Sequence, residues 1–226
     1  ALCRGRVKFD ALRSFAPVCT MAISPTVLVV GPSMPVKTLA EFAQQVKAAP
    51  GKRTYGTPGS GSSGHFATEQ FLRQSGLTMN HIPYKGAAQV ITDVMGGQLD
   101  SSLATVGSVL PQIQAGRVTA LAVATARRSP LLPGVPTFDE SGVAGTRGYT
   151  ADAWYGLLAP AGTPAAALQA LTRAARSFAE QSSTASKLQG LGMEPQSICG
   201  DAFVTQMDRE IGHYTKLASE LNLKAE

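Results

Sequence analysis

This chain has little of what most often announces chemistry. Its 226 residues include three histidines, three cysteines and one tryptophan. His65, His81 and His213 stand in no H-x-x-x-H or H-E-x-x-H spacing, so no metal site is expected. Cys3, Cys19 and Cys199 are an odd set without metal-type spacing. An exported protein could pair two of them, and the sequence leaves open which; isolated thiols are the expectation. Charge of one sign is not concentrated anywhere. Twenty basic residues face 15 acidic ones, for a net charge of +5, and the densest basic pairs are Lys52-Arg53 and Arg127-Arg128. A nucleic-acid binder gathers its charge in a patch or along a helix, so no nucleic-acid partner is expected. The mild excess suits a small anionic ligand as well as an ordinary basic protein. No apolar run approaches the ~20 residues that span a bilayer. No h-region follows Ala1–Arg6, so no signal peptide is read there, and a removed leader and a chain that begins late both look like this.

What is present is a foldable core. Hydrophobic residues make up 44% and charged residues 15%, enough for one large domain or two modest ones. Val27-Leu28-Val29-Val30 reads as a buried strand that stops at Gly31-Pro32. Thr38-Leu39-Ala40-Glu41 is a capping box, and the helix it opens buries Leu39, Phe42 and Val46. A short strand at Thr54-Tyr55 leads into a Gly/Ser loop and a helix with Ala67, Phe71 and Leu72 inward. Further strands are expected at 80–84, 99–103 and 118–124. Helices carrying Val90/Ile91/Val94 and Val106/Val109/Ile113 lie between them and stop at Gly96-Gly97 and Gly116.

The second half continues the alternation. Thr137-Phe138-Asp139-Glu140 is a second capping box, expected to start a short helix. Trp154–Leu158 reads as another buried strand, and Thr163-Pro164 as a helix start with the stripe Leu168, Leu171, Ala175, Phe178. A last helix over about 202–221 should turn Val204, Met207, Ile211, Tyr214 and Leu221 inward. Near-continuous alternation of strand and helix predicts an α/β chain with a largely parallel sheet.

The most informative stretch is Gly59-Ser60-Gly61-Ser62-Ser63-Gly64, between a strand and a helix. A helix start presents unpaired N–H groups and partial positive charge, glycines admit a ligand to the backbone, and serines add hydroxyls. Such a place binds an anion; a flexible connector has the same composition. The six residues also match G-x-G-x-x-G, which would mark an NAD(P)-dependent oxidoreductase. Against that, Arg53-Thr54-Tyr55 is a polar first strand and no acidic residue closes the next one, where Pro83-Tyr84-Lys85 stands. No G-x-S-x-G elbow is present, which removes the hydrolase reading. His65, one residue past the loop, reads as a cap or ligand donor on one hand and as a structural first-turn histidine on the other.

With these residues in place, the chain resembles the Bug receptors, the extracytoplasmic solute-binding proteins of tripartite tricarboxylate transporters. The resemblance runs from about Phe9 onward. It rests on the order of short stretches: Phe15-Ala16-Pro17-Val18, Pro50-Gly51-Lys52, Gly59-x-Gly61 with His65, Pro83-Tyr84-Lys85-Gly86, Gly96-Gly97-Gln98, Val135-Pro136-Thr137 and Trp154 through Pro164. Relatives usually lack glycine at the position of Gly64, so the dinucleotide match is expected to be accidental.

The resemblance implies a periplasmic-binding-protein fold of type II, an α/β fold of two lobes joined by two crossover strands. One lobe spans 27–150; the other is built from 1–26 and 151–226 and lacks its first βα units at the N-terminus. It implies a non-catalytic receptor that captures a small carboxylate for membrane permease subunits, without cofactor or metal, in the periplasm. Three loops match family contact positions: Gly59, Ser60, Gly61, Ser62 and Ser63 with His65; Tyr84, Lys85 and Gly86; and Ala104 with Thr105. Many relatives carry Asp-Asn at the third, so its absence favours a plain acid over an amino acid. Lys85 is tempting as a counter-charge but is expected to be solvated. Apolar stripes over 151–226 without a full sheet imply that this chain alone self-associates through that region or is unstable, and binds ligand weakly or not at all. The alternatives are the oxidoreductase and a truncated interaction module that binds no ligand.

Overall fold

A computed structural model describes residues 8–221. Cys3 and the rest of 1–7 lie outside the described residues. The chain forms two compact units, one ending at Ser24 and resuming at Trp154, the other Pro25–Ala153.

Pro25–Ala153 is built on a five-stranded sheet. Its elements are β2 (Thr26–Val30), α1 (Leu39–Ala48), β3 (Thr54–Thr57), α2 (Ser63–Ser75), β4 (Asn80–Pro83), α3 (Ala87–Met95), β5 (Ser101–Thr105), α4 (Val106–Gln114) and β6 (Thr119–Val123). The strand order is β4-β3-β5-β2-β6. Strand β2 is apolar from Val27 to Val30 because both its faces are covered. Leu28 and Val30 join a core with Leu39, Phe42, Phe71 and Phe138 on one side. Val27 and Val29 join Val90, Ile91, Val94 and Val109 on the other. Alternate residues of one strand thus serve two layers, as the period of two requires.

The sheet is mixed, which corrects the expectation of a largely parallel one. Strand β3 is parallel to β4 and β5. Strand β2 is antiparallel to both its neighbours, β5 and β6. The βαβ units from β3 onward do make parallel strands, each joined by a covering helix. Strand β2 precedes that series. It enters from Pro25, with Thr26 opposite Thr105, the last residue of β5. The chain therefore enters at the edge where the parallel strands finish.

Local signals act as read in most of this unit. Thr38 and Glu41 form both halves of the capping box. Gly97 and Gly116 take the left-handed conformation just past α3 and α4. The box at Thr137 is also made, with Glu140 N–H on Thr137 Oγ1 at 3.1 Å and Thr137 N–H on Glu140 at 2.7 Å. It opens only a 3-10 turn, Asp139–Ser141, ended by Gly142 in the left-handed region.

The other unit holds β1 (Phe15–Ser24), β7 (Ala153–Pro160), α5 (Ala165–Glu180), α6 (Ser182–Gly190), β8 (Glu194–Pro195) and α7 (Asp201–Glu220), with sheet order β7-β1-β8. Its core gathers Val18, Cys19, Ala159 and Ala175. A disulfide joins Cys19 to Cys199 across 180 residues of sequence. This overturns the expectation of isolated thiols: the antiparallel approach of Cys19 to Cys199 brings the two sulfurs together.

Three further expectations fail in this unit. Strand β7 is not buried: Tyr155 is 48% exposed, Leu157 and Leu158 36% each. Leu171 and Phe178 of α5 are exposed as well, which agrees with the expectation of a stripe without its full sheet, and only Ala175 of that stripe is buried. Thr163 does not cap α5, because its hydroxyl donates back to the Pro160 carbonyl and Pro164 itself holds the cap position. In α7 the inward face is Phe203, Met207, Leu217 and Ala218, while Val204 faces out. Phe203 meets Trp154 edge-on at 5.1 Å, and that ring leaves no room for a side chain at Gly156.

Candidate functional site

Strands β3, β4 and β5 end at Thr57, Pro83 and Thr105, and helices α2, α3 and α4 begin just beyond. Three helix N-termini therefore open at one edge of the sheet. A half-open pocket sits there. Ser63 and Gly64 line it from the first two positions of α2, Ala87 from the first of α3, and Thr105 and Ser108 from the start of α4. Thr26 joins them from β2, because that strand starts at the same edge. Val90, Ile91, Leu103, Ala104 and Pro58 give an apolar wall, and Ser102 completes the lining.

The polar groups around this pocket divide into committed and uncommitted ones. The Thr26 hydroxyl donates to the Ala151 carbonyl at 2.9 Å and the Ser102 hydroxyl to the Gly56 carbonyl at 2.9 Å. Thr105 Oγ1 donates to Ser108 Oγ, which donates to the Thr105 carbonyl at 2.7 Å. These hydroxyl protons are spent on the protein. Amide N–H groups of a first helical turn have no partner within the helix. Two are taken elsewhere: His65 N–H goes to Ser62 Oγ, and Val106 N–H to the Pro25 carbonyl. Helix geometry leaves the N–H groups of Ser63, Gly64, Ala87 and Ser108 facing the pocket end. Each helix start adds about half a positive charge. No lining side chain is titratable. The combination is rich in donors, positive by dipole and free of side-chain charge, and its chemistry is that of an anion site.

The sequence-derived candidates fall into three groups. Ser63, Ala104 and Thr105 line the pocket. Gly59, Ser60, Gly61 and Ser62 form the loop that leads into α2. Ser62 is its N-cap, and Gly61 takes a φ of 75°, a left-handed backbone that favours glycine. Gly86 caps α3 without a side chain, one residue before Ala87.

Tyr84 and Lys85 are not among the pocket lining. The Tyr84 phenol donates to Asp93 at 2.6 Å, and burial together with that carboxylate pushes its pKa up to about 12. Lys85 is exposed, as a solvated lysine would be. Thr26, Ala87, Ser102 and Ser108 were missed. Ala87, directly after Gly86 at a helix start, carried a readable signal; Thr26 depended on the reversed entry of β2.

His65 is 4% exposed and supports the loop from beneath. Its Nδ1 accepts the Gly61 N–H at 3.0 Å. Its ring stacks on His81 at 3.8 Å and 13°, and His81 stacks in turn on Tyr55 at 5.0 Å. Burial and the facing His65 ring hold the His81 pKa down at about 4. Burial also lowers His65 below the ordinary histidine range, with Glu69 pulling the other way. Both rings are therefore neutral near pH 7.

The G-x-G-x-x-G match takes on a different meaning here. A side chain at Gly64 would come within 3.1 Å of the Leu103 carbonyl, so this glycine serves close packing of α2 against β5. Strand β4, beside β3, ends in Pro83 followed by Tyr84 and offers no carboxylate for a ribose.

A protein of Pseudomonas sp. (strain P51), described as "UPF0065 protein in tcbD-tcbE intergenic region", is 29% identical over 97% of this chain. Protein BugT of Bordetella pertussis is 32% identical over 70% of it. The chain spans 65% of the first relative's length and 47% of the second's. The solved structure "R. palustris Rpa4515 with adipate" is 31% identical with a TM-score of 0.81, covering 93% of this chain and 70% of that one. A family model described as "Tripartite tricarboxylate transporter family receptor" matches residues 3–223, and the chain belongs to that family.

Proposed function

We propose that this chain is a non-catalytic receptor that binds a small carboxylate at the convergence of α2, α3 and α4 and passes it to membrane permease subunits. The observation that carries the reading is the pocket itself: three helix starts, uncommitted amide donors and no titratable side chain. A carboxylate completes that set, and an enzyme would need an acid, base or nucleophile within reach of the ligand. The adipate bound by the 31% identical relative is consistent with it.

The apolar wall and the committed hydroxyls favour an acid whose neighbouring atoms are hydrocarbon. An ammonium group would meet three positive helix ends and no carboxylate. The Cys19–Cys199 disulfide fits an oxidising compartment such as the periplasm. Tyr155, Leu157, Leu158, Leu171 and Phe178 are exposed, and self-association through the 151–226 region is part of the proposal.

The test is a thermal-shift and calorimetric screen of mono-, di- and tricarboxylates against amino acids, sugars and NAD(P). Plain carboxylates are expected to stabilise the protein and the others to leave it unchanged. At a ligand concentration a hundredfold above Kd the stabilisation is about 2.7 kcal/mol. Light scattering on the same samples reads the association state, where a monomer at every concentration would remove that part. Stabilisation by NAD(P), with no acid responding, would replace the receptor by the oxidoreductase.

A further inference from the structure

The buried His65 and half-buried His81 beneath the Gly/Ser loop have no task in the proposed binding chemistry, yet they hold the loop at two points. Gly61 N–H donates to His65 Nδ1 at 3.0 Å. Nδ1 is therefore unprotonated, and the neutral ring carries its proton on Nε2. Thr57 Oγ1 donates to the Gly59 carbonyl at 3.1 Å and lies 2.6 Å from His81 Nε2. The threonine has one proton to give. With that proton on Gly59, His81 Nε2–H is the donor to Thr57. A relay runs from His81 through Thr57 to the Gly59 carbonyl, and a second bond runs from Gly61 to His65. The rings that end these two paths lie face to face at 3.8 Å.

We propose that the stacked His65–His81 pair is a proton-operated latch on the Gly59–Ser63 loop, closed while both rings are neutral and released when His65 takes a proton on Nδ1. The regulatory part rests on the reading of this loop as the approach to the carboxylate pocket. The physical step is simple. A proton on His65 Nδ1 turns the acceptor of Gly61 N–H into a second donor, and that bond is lost. A positive ring also faces its neighbour across 3.8 Å, which disfavours a second charge.

The titratable groups around the pair come from three elements. Strand β3 supplies Tyr55, whose phenol donates to Glu69 and is pushed above its ordinary range by burial, then by that carboxylate. Helix α2 supplies Glu69 and His65, and β4 supplies His81. The Phe66 ring lies 6.4 Å from the His65 ring. Glu69 favours a proton on His65, while burial opposes it on both rings. The folded-state pKa of each ring lies below its unfolded value. The latch is therefore complete above the ordinary histidine value of 6.5 and opens as pH falls below it, through the lowered range of His65.

The experiment is a proton–nitrogen NMR titration of the whole chain from pH 7.5 to 4.0, with and without adipate. It is paired with adipate calorimetry on wild type and the His65→Asn/His81→Gln variant. Asparagine offers an acceptor near Nδ1 and glutamine a donor near Nε2, and neither titrates. The Gly61 amide resonance is expected to move with the His65 ring at one midpoint, without ligand. The ratio of adipate affinities between pH 7.5 and 5.0 is expected to be about tenfold larger in wild type than in the variant, the scale of one lost loop-ordering hydrogen bond. Comparison at matched pH cancels the acid's own protonation. A Gly61 amide indifferent to the His65 titration would overturn the latch. So would the same affinity ratio in both proteins. Co-titration of Gly61 and His65 with no acid bound at any pH would support the latch and remove the carboxylate reading.

Discussion

Replacing Ala104 by aspartate is expected to abolish binding of plain acids such as adipate while leaving the fold intact. Ala104 lines the pocket from β5 and is only partly buried, so the larger side chain has an open side to enter. Its carboxylate would occupy the donors that the proposed ligand needs. Two like charges about 4 Å apart repel by about 4 kcal/mol at an effective dielectric near 20, roughly a thousandfold in affinity. Calorimetry with adipate reads the loss, and the thermal midpoint without ligand reads the fold. The substitution distinguishes a charge effect from a steric one when paired with Ala104→Asn. Asparagine has nearly the same volume and carries no charge, so it should cost far less. Equal losses in both variants would mean that the site is closed by volume and that the helix-end electrostatics are secondary.

Removing the disulfide is the second large effect. Cys199→Ser leaves Cys19 unpaired in the core of the smaller sheet, where it is 0% exposed. The bond closes a loop spanning 180 residues of sequence. Loss of a native disulfide costs about 2–5 kcal/mol, with long loops toward the upper end. The unit it serves has a small core of Val18, Cys19, Ala159 and Ala175, so little else compensates. Chemical denaturation of wild type, Cys199→Ser and the reduced wild type should place the last two together and well below the first. Equal midpoints in all three would mean that packing around β1 carries this unit without the bond.

How much of this was legible in the sequence depends on the range of the interaction. Local signals were read well. The apolar run Val27–Val30, the Thr38 box and the glycines at 97 and 116 depend on a few neighbouring residues. The same is true of the helix start after the Gly/Ser loop, since Ser62 needs only the next turn to cap. Family-level order of short motifs added the receptor reading, which no single stretch carries.

What was not legible depends on partners far along the chain. The reversed direction of β2 follows from where the chain enters the sheet, and no periodicity records direction. The pairing of Cys19 with Cys199 needs β1 and the segment before α7 to meet. Strand β7 has the composition of a buried strand, but its exposure is set by what packs on it. Tyr84 entered the candidate set through its match to a family contact loop, and sequence did not show that its phenol is bound to Asp93 nine residues on. The hydroxyls of Thr26 and Ser102 similarly spend their protons on Ala151 and Gly56. Composition counts them as donors, and only the three-dimensional arrangement removes them. The stack of His65 on His81 joins α2 to β4, and nothing in the spacing of three histidines pointed to it.

The central claim is that the amide donors at the starts of α2, α3 and α4 form one carboxylate site. It is tested most directly by following backbone amide resonances of the isotopically labelled chain as adipate is added at pH 7.5. The account predicts saturable shifts at Ser63, Gly64, Ala87 and Ser108 together, with one common dissociation constant. Shifts absent from these four amides, or confined to Gly59–Gly64 and produced by NAD(P) instead of adipate, would contradict it.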